Sequence, residues 1–195
     1  MSCGLITFLK RDEHMVSFLF ALAFVWGILE ATVFFIIPDA IVTFIGLRGY
    51  KSGLYAALWA LFGALIGGVV MYYLGVSKFD WVYDVVAHVP AIRPEMMEVV
   101  RQSLVEDGLV AMILGPTKGI PYKIFAIYAA QAGIGFGAFL LASIPARFIR
   151  FFLTAMLTAF LSQTVFHRLS MKIKVVIWIV VWIIVYTIYF SIHPF

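Results

Sequence analysis

Apolar positions in this chain come in long runs rather than in a helical or alternating pattern, and the breaks between runs define the elements. Met15–Ile37 is an apolar run interrupted only by Glu30 and closed by Pro38-Asp39. At about 1.5 Å per residue it is long enough to cross about 30 Å of hydrocarbon. Proline then clashes with a continuing helix. Ala40–Leu47 is apolar but too short to cross, and Arg48-Gly-Tyr-Lys51 closes it. The pattern predicts a helix, a break within the membrane and a short return, a hairpin over about 15–50. Residues 52–77 carry no charge and predict a clean span. Its Gly63 and Gly67 have the small-xxx-small spacing that lets helices approach closely.

Residues 78–107 change character, with nine charges of which six are acidic. Val82, Val85, Val86 and Val89 repeat at helical spacing, opposite Asp80, Asp84 and His88. Met97, Val100 and Leu104 form a second stripe. Short amphipathic helices on a membrane surface are expected here. From about 108 to 135 a half-length apolar run meets Gly115-Pro116-Thr117-Lys118-Gly119-Ile120-Pro121-Tyr122-Lys123 and then apolar residues return, which predicts a second re-entrant hairpin. Non-helical backbone at membrane depth is tolerated only where protein or a watery cavity covers it. Residues 137–166 form a span with Arg147 and Arg150 near its middle, or else two shorter helices flanking a loop. Residues 175–192 form the last span, with Trp178 and Trp182 expected as interface anchors or lipid-facing bulk.

The two halves share a plan. Pro38 and Pro121 each sit in a break, each followed three residues later by isoleucine, a short apolar return, glycines and a full span. Inverted repeats in transporters leave this kind of pattern. The fold class expected is an all-α integral membrane protein with two opposed re-entrant helical hairpins plus spanning helices.

Composition narrows the solvent. The chain of 195 residues is 64% hydrophobic and 12% charged, with mean hydropathy +1.06. Soluble domains run about 45–50% apolar and about 25% charged, so lipid is the expected surrounding. A single cysteine excludes a disulfide framework or cysteine metal cluster, and four scattered histidines form no metal motif. No basic block with interleaved aromatics points to nucleic acid. The basic clusters at Lys10/Arg11, Arg48/Lys51 and Arg168/Lys172/Lys174 predict a cytoplasmic N-terminus with the acid-rich middle outside, and a prokaryotic cytoplasmic membrane is the expected location.

Six charges fall at breaks or mid-helix: Glu30, Asp39, Lys118, Lys123, Arg147 and Arg150. A charge at the bilayer centre costs about 2.5–3.5 kcal/mol on insertion scales, so these must share a wet cavity or pair. Four bases against two acids suit an anionic headgroup, with arginine supplying planar forked donors and lysine a point charge. Arg147 and Arg150 share a helix face that Ser143, Thr154 and Thr158 extend into a polar path. Glu30 is the candidate proton carrier, because burial raises a carboxyl pKa unless the group is paired. The alternative for Glu30 is a static salt bridge to Arg147 or Arg150. Asp39 can contact substrate, cap the following helix, or do both. No cofactor is expected, with protons as the coupling ion. Enzyme signatures are missing: there is no Gly-x-Ser-x-Gly elbow, no Walker loop and no His-Glu-x-x-His.

Three passages together resemble the DedA family, also called SNARE-associated or VTT-domain membrane proteins, and its short YqaA-like branch. They are Glu30-Ala-Thr-Val-Phe-Phe-Ile-Ile-Pro38-Asp39, the glycine-rich stretch Gly63 to Gly75, and Gly115 to Lys123 followed by Arg147-Phe-Ile-Arg150-Phe. The resemblance implies opposed hairpins around a central polar site. It also implies a role as a flippase or scramblase for phospholipids or polyprenyl phosphates, proton-coupled in some members. By position, Glu30 and Asp39 match the family's functional acids, and both are the expected proton-coupling residues. Lys118 and Lys123 stand where many members carry arginines. The alternatives are an ion-coupled transporter of a small solute and a structural or assembly membrane protein.

Overall fold

A computed structural model describes residues 2–32, 39–90 and 92–192, with side chains described from Val16 onward except at 189, 190 and 192. Pro38, expected at the first break, lies outside the described residues. All regular structure in the described residues is helical. Nine α-helices follow in chain order: α1 Ser2–Thr32, α2 Asp39–Gly46, α3 Tyr50–Ser77, α4 Phe79–Ala87, α5 Pro94–Asp107, α6 Leu109–Leu114, α7 Tyr122–Ala129, α8 Phe136–Phe160 and α9 Met171–Ile192. A 3-10 turn, Gly115–Lys118, follows α6, and a π turn, Leu161–Val165, extends α8.

Among the described residues, three stretches are long and apolar enough to cross a membrane: Tyr50–Ser77, Phe136–Val165 and Met171–Ile188. Residues 136–160 form one continuous helix, so Arg147 and Arg150 stand mid-helix and not in a loop. Their helix also contains Pro145, which cannot donate the usual bond back to residue 141.

Helix α3 is the scaffold, packing on α1, α2, α7 and α8. Small residues permit the closest of these approaches. A side-chain carbon on Gly63 would run into the Phe24 carbonyl, and one on Gly27 into the Ala60 carbonyl. Backbone-to-backbone packing of this kind replaces the hydrophobic drive that lipid cannot supply. Further along α3, Gly68 makes room for the Tyr122 hydroxyl and Gly75 for the Ile127 backbone. Helix α2 packs on both α3 and α8, α7 packs on α3, and α6 packs on α8.

The break before α7 has a clear local cause. Pro116 opens the 3-10 turn, Gly119 closes it with φ of 87°, and Pro121 precedes α7 in an extended conformation. Only glycine takes that left-handed angle without a Cβ penalty. Helices α4 and α5 bury Val82, Val86, Met97, Val100 and Leu104. Their charged faces stay outside, where Arg101 pairs with Glu98 one turn away.

Candidate functional site

Helix α8 brings together both ends of the first break. Arg147 is fully buried and its Nη2 donates to Glu30 Oε2 from the last turn of α1. One turn on, Arg150 is partly buried. Its Nε donates to Asp39 Oδ2 at 2.8 Å, and its Nη2 lies 2.6 Å from the same oxygen. Thr154 donates to the other oxygen, Asp39 Oδ1, at 3.1 Å. The Asp39 carboxylate, at the first residue of α2, is thus committed to α8. Spacing by three on α8 is what allows two arginines to serve two acids nine residues apart in sequence.

Arg147 has a second set of neighbours. Its guanidinium carbon lies 5.1 Å from the Tyr122 ring centre and 4.8 Å from that of Phe151. Such stacking favours a desolvated cation by about 2 kcal/mol or more. Its Nε and Nη1 are buried and find no hydrogen-bond acceptor among the described residues. Buried donors without acceptors cost about 1–3 kcal/mol each and mark a place where another group belongs.

The Tyr122 hydroxyl donates to Ser143 Oγ at 2.6 Å, and Ser143 donates on to the Phe139 carbonyl at 2.8 Å. Ser143 is therefore a fixed link under the Arg147 cage. Lys123 is 2% exposed and lies within electrostatic reach of Glu30 and Arg147. The charges gathered in this cluster are three bases, Lys123, Arg147 and Arg150, and two acids, Glu30 and Asp39, an excess of one positive charge.

Not every expected residue joins the cluster. Lys118 ends the 3-10 turn in an exposed position. Gly115, Pro116, Gly119 and Pro121 shape the break itself. Gly115 is crowded by the Phe125 ring, which fills the space a side chain would need. Thr158 donates to the Thr154 carbonyl at 2.9 Å, so its hydroxyl proton is held by its own helix. The polar face of α8 thus reaches from Ser143 to Thr154, with Thr158 outside the charge cluster.

Of three further participants, Phe151 and Thr43 have no signal in the sequence that separates them from ordinary bulk. Tyr122 and Phe151 enclose Arg147. Thr43, one turn after Asp39, gathers Trp178 and Trp182. Both indole nitrogens donate to Thr43 Oγ1, at 3.0 and 3.1 Å, while Thr43 donates to the Asp39 carbonyl at 2.6 Å. These tryptophans dock α9 on α2 and are not simply lipid-facing bulk. Tyr122 has one clue, its place directly before Lys123 at the proline break.

Among the described residues no three His, Cys, Asp or Glu side chains converge to hold a metal ion. The site is a network of ion pairs and aromatic rings around a guanidinium two of whose donors have no acceptor among the described residues.

The chain is 28% identical over 148 residues to an uncharacterized protein of Haemophilus influenzae, an alignment covering 75% of this chain and 74% of that one. No known protein family's sequence profile matches. No solved structure matches either.

Proposed function

We propose that this chain is an integral membrane protein of the DedA kind that moves an anionic lipid headgroup across the bilayer. In this proposal α1–α2 and α6–α7 are two re-entrant hairpins entering from opposite sides, and the N-terminus is cytoplasmic. The reciprocal contacts across the halves, α2 on α8 and α7 on α3, support a repeat related by a two-fold axis. The observation that carries the substrate class is Arg147, fully buried with Nε and Nη1 finding no acceptor among the described residues. A phosphate oxygen is the strongest acceptor for such a fork. Lys123 adds charge beside it.

The transport cycle then has a simple electrostatic form. A phosphate arriving at Arg147 competes with Glu30 for the same guanidinium. A displaced carboxylate in a low-dielectric site takes up a proton. Return of Arg147 to Glu30 releases that proton and the headgroup, and the acyl tails stay in the bilayer throughout. Arg147 is closed off from the exterior here, so access requires the short helices to move against α3 and α8.

Reconstitution tests this. Vesicles holding the protein and a fluorescent phospholipid or polyprenyl phosphate should show headgroup translocation that depends on a proton gradient. Arg147→Gln and Glu30→Gln should abolish it. No translocation of any phospholipid or polyprenyl phosphate, in either gradient direction, overturns the proposal. A second reading is favoured by the complete pairing of Glu30 and Asp39, which also suits a static scaffold. In that case Glu30→Gln lowers abundance or stability, and no translocation exists to lose.

A further inference from the structure

We infer that a cleft between α2, the C-terminal end of α8 and α9 holds the acyl chain of an anionic membrane phospholipid, whose phosphate pairs with Lys174. The cleft has a volume of about 190 Å³ and is partly open. It is small beside the roughly 300–1,000 Å³ of pockets that enclose whole ligands, which suits part of a chain. Leu47, Leu161, Phe166, Ile177, Val181 and Val185 make its apolar wall.

Its hydroxyls are already committed. Thr43 donates to the Asp39 carbonyl, Thr158 to the Thr154 carbonyl, and Ser162 to the Leu47 carbonyl at 2.7 Å. With those protons spent on backbone, the interior offers a polar solute little and an alkyl chain a great deal. Lys174 is the exception. Its ammonium is partly buried and donates to Ser162 O at 2.7 Å and Ser162 Oγ at 3.1 Å. An ammonium carries three donors. No ion pair among the described residues includes Lys174, so its charge lacks a carboxylate counterpart.

The chain itself has no acid to spare nearby in sequence. After Asp107 no aspartate or glutamate occurs, while seven lysines and arginines do. A second copy docking here by two-fold symmetry would bring a second Lys174, Lys172 and Arg168 into the same interface. A phospholipid supplies both missing parts, an alkyl chain for the wall and a negative charge for the lysine.

The inference rests only on the chain lying in a bilayer, and it is read without any translocation assay, so it and the transport proposal can fail separately. The full chain is purified in detergent and examined by native mass spectrometry with phosphatidylglycerol or phosphatidylcholine of identical chains. One phosphatidylglycerol should be retained in preference to phosphatidylcholine, and inorganic phosphate should not displace it. Val181→Trp, which fills the cleft, should weaken retention about tenfold, whereas Ile184→Trp, on the exposed face of the same helix, should not. Lys174→Gln should erase the headgroup preference and Lys174→Arg should restore it. Equal retention of the two lipids, retention unaffected by both Val181→Trp and Lys174→Gln, displacement by phosphate, or a lipid-free dimer would each overturn the inference.

Discussion

Arg147 and Glu30 form a buried ion pair that joins positions 117 residues apart. It ties the middle of α8 to the end of α1 just before the first break. Removing one partner of a buried pair leaves an uncompensated charge and costs about 3–5 kcal/mol. Glu30→Ala and Arg147→Ala should each lower the thermal stability of the detergent-solubilised protein on that scale. The double variant should lose less than the sum. Strictly additive losses would mean that the pair is not coupled.

Asp39 presents a contrast in exposure, because its partner Arg150 is partly open. Thr154→Val removes the donor to Oδ1 and should cost about 1 kcal/mol. Arg150→Lys keeps the charge but loses the Nε donor, so it should fall between wild type and Arg150→Ala. A thermal-melt series ranking Arg150→Lys equal to Arg150→Ala would contradict this, because the charge without the Nε donor would then contribute nothing.

Close helix approach makes the α3 glycines sensitive. Gly63→Ala would push a methyl into the Phe24 carbonyl, and Gly68→Ala would push one into Tyr122. Each should destabilise by about 1–3 kcal/mol. Gly68→Ala should also displace the Tyr122 ring from Arg147. Gly137→Ala, with open space around it, should be neutral or slightly stabilising. Equal melting shifts for all three would rule out close packing as the cause.

Docking of α9 depends on one hydroxyl. Thr43→Val keeps the shape but removes the acceptor for both Trp178 and Trp182. Amide exchange across α9 should accelerate while exchange in α3 stays unchanged. No change in α9 would mean that its packing, and not the indole bonds, holds it in place.

Outside the apolar helices, Glu98 supplies a pH-dependent contribution. Hydrogen bonds from the Arg101 and Gln102 side chains, then the Arg101 charge, hold its carboxyl down from 4.5 to about 2. A folded-state value below the unfolded one means that the contribution is complete above about pH 4.5. It is lost as pH falls toward 2. The stability difference between wild type and Glu98→Gln should therefore shrink across that window and stay constant above it. A carbon-detected titration placing Glu98 near 4.5 would contradict the arrangement.

Much of this molecule is legible from its sequence because lipid imposes strict rules. Every backbone polar group must be satisfied within its own segment. Apolar run length therefore fixes helix number more directly than it does in a soluble protein. Tyr50–Ser77 and Met171–Ile192 follow from run length alone. The costly charges Glu30, Asp39, Arg147 and Arg150 identify themselves by where they stand. So does the second break, where Pro116, Gly119 and Pro121 leave the backbone little choice.

Partner choice is another matter. Glu30 could reach either arginine by charge, and only the packing of α1 and α2 against α8 assigns it to Arg147 and Asp39 to Arg150. Tyr122, Phe151, Trp178 and Trp182 look like any other aromatic residue in an apolar run. Their roles arise from which ring faces the guanidinium and which indole reaches Thr43. Lys118 and Lys123 flank the same break and read alike in sequence, yet one is exposed and the other buried. Run length and charge placement determined the helices and named the charged candidates, because desolvation acts on each residue singly. Tertiary packing alone decided the pairs, the ring cage and the α9 cleft, because those depend on the joint positions of segments far apart in the chain.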